Sequence, residues 1–138
     1  MPLWLEGIVV SKVDFEGKKP RVDESVFLAP DSWVIGDVTI MEGANVWNGA
    51  TIRGDDDTVE IGARATILEN CVVEAPTGSP VKIGDEAIVS HGAIVHGATV
   101  GAKALVGIGA IVLDGAEVGE GAIVGSGAVV PPRAVIPP

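Results

Sequence analysis

From Val100 onward an aliphatic residue returns at every sixth position, through Val106, Val112, Val118, Val124 and Val130, and alanine follows four places after each of the first five. The same beat runs through Val22, Leu28, Val34, Ile40, Val46 and Ile52. It resumes through Ile61, Ile67 and Val73, and again through Ile83, Val89 and Val95. Six fits neither the 3.6-residue period of an α-helix nor a heptad. It is the period of a parallel β-helix, in which each hexad supplies one short strand and one turn. Taken three to a triangular coil, the 18 hexads predict an all-β prism of about six coils over residues 22–132. Residues 1–21 are expected to form an N-terminal strand or cap, and 133–138 a C-terminal tail.

Composition agrees with this reading. The chain has 19 glycines, two Phe, three Trp and no Tyr, so its core must come from Val, Ile and Ala. Each glycine would cost a helix about 1 kcal/mol relative to Ala. One coil cannot bury its inward row, whereas coils stacked about 4.8 Å apart bury it against each other. Cys71, four places after Ile67, takes an alanine position and reads as buried filler.

Three intervals break the beat. Ile52 to Ile61 spans nine residues and carries GDDD, and Val73 to Ile83 spans ten and carries APTGSP, a loop by its Pro and Gly. Val95 to Val100 spans five, and there Ile88 and Ile94 continue the downstream beat equally well.

Charge and segment character exclude several partners. A net charge of −10 leaves no basic patch for a nucleic-acid backbone or an anionic membrane. The apolar run IVHGATVGAKALVGIGAIVL is long enough to span a bilayer, but His96 and Lys103 interrupt it and the hexad order explains it better. The start, MPLWLEGIVVSK, has no basic leader, and a lone cysteine suits a reducing compartment; a cytoplasmic protein is expected.

The chain holds two histidines, both in SHGAIVHG. His96 follows Val95 and Glu74 follows Val73, three hexads earlier, so the two should stand one above the other on one face. Arg53, after Ile52, continues the column. His91 lies on the preceding hexad and therefore on a different face. Two histidines of one chain diverge in this frame, but a second copy can bring its His91 to the Glu74/His96 column. Three-fold association of triangular prisms does this naturally. Two histidines and a carboxylate make a catalytic zinc set with one position left for water. The alternative is that these side chains merely line a polar interface.

The stretches VFLAPDSWVIGDV, VWNGATIRGD, IGARATILENCVV, IGDEAIVSHGAIVHGATVG, VGIGAIVLDGA and VGSGAVVPP resemble the γ-class carbonic anhydrase-like family, which includes ferripyochelin-binding proteins; they cover roughly residues 20–132. The resemblance implies a left-handed β-helix, a homotrimer, zinc held between subunits by three histidines, and reversible hydration of carbon dioxide to bicarbonate. It assigns His96 and position 74 to one subunit and His91 to its neighbour. Arg53 and Asp55 match an RGD motif whose members form an ion pair near the subunit contact. His91, His96 and Glu74 are thereby the expected metal ligands, and Glu74, Arg53 and Asp55 the expected catalytic residues.

The chain departs from the family pattern in several places. Glu74 stands where the family has its first zinc histidine, Leu68 where it has a glutamine near the bound water, and Thr66 where it has an asparagine. The loop APTGSP has no carboxylate to carry protons, leaving Glu69 and Asp55 to Asp57 as candidates. Family members continue past VIPP into a helix, whereas this sequence ends at Pro138. Glu74 suits zinc and also harder ions such as iron, cobalt or magnesium. Weak hydratase activity, a catalytically silent structural trimer, and a hexapeptide-repeat acyltransferase using one histidine as base are the three resulting readings.

Overall fold

The computed structural model describes residues 11–138. Short parallel strands wind about three faces of a prism, and the chain visits the faces in strict rotation. The first face stacks Ser11–Val13, residues 33–35, residues 51–53, Val72–Glu74, Ile94–His96, Ile111–Val112 and Val129–Val130. The second runs from Arg21–Val22 through residues 38–40 and 59–61, Val81–Ile83, Thr99–Val100 and Glu117–Val118 to Val135–Ile136. The third stacks Phe27–Leu28, Asn45–Val46, Thr66–Ile67, Ile88–Val89, Leu105–Val106 and Ile123–Val124. The solenoid is a left-handed β-helix of about seven turns.

The seventh turn comes from two rungs outside the predicted 22–132 span. Ser11–Val13 pairs with residues 33–35, so the N-terminal segment joins the ladder itself; residues 1–10 of the expected cap lie outside the described residues. At the other end Ile136, six after Val130, continues the beat and pairs with Val118, so part of the expected tail is a rung.

The hexad residues are the core. Val34, Ile40, Val46, Ile52, Ile61, Ile67, Val73, Ile83, Val89, Val95, Val100, Val106 and Val112 are all buried, and Ala44, Ala50, Ala65, Ala87, Ala93, Ala104, Ala110 and Ala116 fill the edges. Cys71 is buried in the same way, and its thiol meets the Ser90 carbonyl at 2.9 Å. Burial pushes this thiol up to about 11.

The ambiguous register at Val95 resolves cleanly. Val95 and Val100 both point inward, while Ile88 and Ile94 belong to outward rows. The missing residue is absorbed in the turn between them, where Gly97 adopts a left-handed φ of 62°. All three irregular intervals fall at one edge of the prism, between the first and second faces. At this edge Thr51–Ile61 turns the corner as one continuous strand, and the register shift against Trp33–Ile40 lets residues 55–58 bulge outward. The two coils approach closely there: a Cβ on Gly36 would lie 2.6 Å from the Gly54 carbonyl oxygen, and one on Gly54 would lie 2.4 Å from that of Asp37. The bulge supports the next irregularity, because the Gly78 N–H in the APTGSP loop donates to Asp57 Oδ2 at 3.0 Å.

The outward rows differ between faces. The first face presents Trp33, Thr51, Val72, Ile94, Ile111 and Val129, and the third presents Phe27, Asn45, Thr66, Ile88, Leu105 and Ile123. The second presents Arg21, Thr39, Glu60, Lys82, Thr99 and Glu117, with Val135 at its end. Among the described residues, no helix is long and apolar enough to cross a membrane.

The inward row makes a sharp prediction. Val106→Asp places a carboxylate in the aliphatic stack and is expected to cost at least about 3 kcal/mol. Thr99→Asp, on the outward row between Lys82 and Glu117, should stay within about 0.5 kcal/mol of the parent. Urea unfolding of both variants checks the frame.

Candidate metal centre

Backbone pairing puts Arg53 beside Glu74 and Glu74 beside His96 on three successive rungs of the first face. Their side chains follow the irregular edge in a line of close polar contacts. Asp55 takes two hydrogen bonds from Arg53, Nε to Oδ1 at 3.2 Å and an Nη to Oδ2 at 2.9 Å. The other Arg53 Nη lies 3.2 Å from Glu74 Oε1. Glu74 Oε2 lies 3.6 Å from His96 Nε2. On its far side the His96 ring meets Asp114 through Nδ1. Arg53 holds the Asp55 carboxyl below the usual carboxylate range, chiefly through the hydrogen bond, and Asp55 in return raises the guanidinium.

The spacing of Glu74 and His96 fits a shared ion. Two donors on one tetrahedral zinc stand about 3.4 Å apart, given bonds of about 2.0–2.2 Å. The free Oε2 and Nε2 at 3.6 Å are close to that separation. His91 does not join them in the same chain. It occupies the turn between the third and first faces, exposed, with Nδ1 2.8 Å from Glu69 Oε2. Among the described residues of one chain, no three His, Cys, Asp or Glu side chains gather as a metal site. The structure thus joins Arg53, Asp55, Glu74 and His96 and leaves His91 apart.

The other candidates divide as well. Leu68 is half-buried on the third face's side of the His91 turn, and Thr66 opens the same rung. Of the proposed proton carriers, Asp55 is committed to Arg53, Asp57 to Gly78 and Glu69 to His91, while Asp56 is exposed. Asp114 was not singled out by sequence reasoning. It lies 18 residues after His96, one beyond Leu113, because the five-residue interval shortens this lap to 17; lap counting alone therefore points to Leu113 and not to Asp114.

Comparison with known proteins gives concordant matches. The model for bacterial transferase hexapeptide (six repeats) matches residues 97–132. Gamma carbonic anhydrase 2, mitochondrial, of Arabidopsis thaliana is 40% identical over 89 residues, 60% of this chain and 32% of that protein. The Methanocaldococcus jannaschii protein named "Probable carbonic anhydrase" is 40% identical over 79 residues, 57% of this chain and 50% of that one. The chain therefore spans a third to a half of these relatives' length. Among solved structures, a Bacillus cereus protein provisionally named an acetyltransferase is 35% identical with a TM-score of 0.92, covering 94% of this chain and 75% of that one. A hexapeptide transferase family protein from Anaplasma phagocytophilum is 34% identical with a TM-score of 0.89, covering 92% and 75%.

The Arg53–Asp55 pair yields a prediction with a definite sign. A carboxyl held low in the folded state contributes stability above its unfolded pKa, about 3.9, and loses it as pH falls through the folded value. In Arg53→Ala the Asp55 resonance, followed by NMR, should titrate closer to about 3.9 than in the parent.

Proposed function

The chain belongs to the γ-carbonic-anhydrase-like hexapeptide-repeat family, and on that premise we propose that it acts as a homotrimeric, metal-dependent lyase hydrating carbon dioxide reversibly at sites between subunits. Each site takes Glu74 and His96 from one subunit and His91 from the next. The observation that carries this reading is the free Glu74 Oε2 and His96 Nε2 pair, 3.6 Å apart, with His91 facing elsewhere. The mainly apolar outward rows of the first and third faces support association through the His91 edge, with the mainly polar second face left to solvent.

A bound divalent ion, zinc or a harder ion such as iron or cobalt, supplies Lewis-acid activation of water, less strongly beside anionic Glu74 than among neutral imidazoles. The chain's own residues do the rest. Arg53 pins Glu74 through Oε1, so that Oε2 alone faces His96. Leu68 contributes an apolar wall and no hydrogen bond to orient water. Asp56, the exposed member of its acidic run, is the carboxylate placed to pass protons to solvent. Buried Cys71 suits a reducing cytoplasm.

A second reading rests on the Arg53–Glu74 ion pair, which satisfies Glu74 without a metal and suits a silent structural trimer. The transferase names of the solved relatives favour an acyltransferase, against which stand only nine Lys and Arg for the phosphates of coenzyme A. Calorimetry with acetyl-CoA separates this reading from the other two: it requires heat of binding, and they require none.

Co-expression tests the split site. His91→Ala and His96→Ala should each abolish metal uptake, measured by elemental analysis, and mixed trimers of the two should regain about a quarter of it. No metal in the parent protein sinks the reading. Glu74→His is expected to raise carbon dioxide hydration by at least about tenfold.

A further inference from the structure

Each of the two histidines has a carboxylate on the same ring atom. Glu69 Oε2 lies 2.8 Å from His91 Nδ1, and Asp114 meets His96 through Nδ1. The partners come from opposite directions along the stack. Glu69 lies one coil before His91, where the Gly92 N–H donates to the Glu69 carbonyl. Asp114 lies one coil after His96, where the Gly115 N–H donates to the Gly97 carbonyl. Two unrelated local arrangements thus commit both imidazoles in the same way.

We propose that Glu69 and Asp114 are positioning residues, each fixing its histidine in the tautomer that carries the proton on Nδ1 and leaves the Nε2 lone pair free for a metal. This rests on the inter-subunit metal reading above. A neutral imidazole has one donor and one acceptor nitrogen, and an ionised carboxylate only accepts. The nitrogen facing the carboxylate therefore bears the hydrogen. For His96 the consequence reaches Glu74: in this tautomer an unprotonated Nε2 and a carboxylate oxygen face each other across 3.6 Å, two electron-pair donors that a divalent cation would bridge. Carboxylates on the far nitrogen also fix ring orientation and make the imidazole a stronger donor to a metal. Glu69 is thereby a holder of His91, not a free proton carrier.

The test uses the full chain labelled with ¹⁵N-histidine, free of metal, at about pH 8, above the usual imidazole range. Both rings should show the Nδ1-protonated tautomer. Asp114→Asn should move only the His96 ring toward the other tautomer, and Glu69→Gln only the His91 ring. Both side chains are partly exposed, so the variants are expected to fold, and sizing chromatography checks their assembly. Zinc titration should then show about 10–100-fold weaker binding in each, recovered largely by Asp114→Glu and Glu69→Asp. Tautomers unchanged in both variants, or zinc affinity unchanged despite a shifted tautomer, overturns the proposal. If His96→Ala binds zinc as well as the parent, the metal reading itself fails, whatever the tautomers show.

Discussion

Parallel, in-register hydrogen bonding from one coil to the next is the constraint on which this molecule depends. Each rung gives its backbone groups to the rungs before and after it, so an inward residue lies over an inward residue and an outward one over an outward one. Burial then needs no large side chains. Val and Ile rows stack into a continuous core, and alanine fills edges where anything larger would crowd the turn. The same register that stacks Val73 on Ile52 and Val95 on Val73 carries Arg53, Glu74 and His96 up one column. Core and site are two outcomes of a single pairing rule.

That rule explains why so much of the architecture was legible. A period of six has no competing helical or heptad interpretation, and every inward residue read from it between Val34 and Val130 is buried; the beat misses Val38, Val59 and Val81, which are buried beside the irregular edge. The two end rungs, which lie outside the hexad span, are instructive. Ser11–Val13 lies ten or so residues before the first hexad and has Lys12 at its centre, so no aliphatic beat announces it. Val135–Ile136 keeps the beat but sits among prolines, whose lost donors read as a stop.

The site was legible only to the depth of the register. Counting laps places Glu74 under His96 and separates His91 from both. Side-chain direction is another matter, because a column of outward residues leaves each free to reach sideways. Arg53 spans Asp55 and Glu74 together, and His96 turns its other nitrogen to Asp114 on the next coil. Glu69 shows the same limit: its position beneath His91 follows from the 22-residue interval, but its use of Oε2 on Nδ1 is visible only in three dimensions. Solved relatives at 34–35% identity match 92–94% of this chain, which fits a scaffold set by pattern more than by particular residues.

The nine-, ten- and five-residue intervals all sit on one corner of the triangle, and that placement has an evolutionary consequence. Two of the three edges keep strict time and preserve the scaffold; the third absorbs inserted or deleted residues without disturbing a single inward contact. Lineages of such prisms can therefore experiment with new chemistry by lengthening or trimming one ridge, while selection on the remaining two corners holds the architecture still.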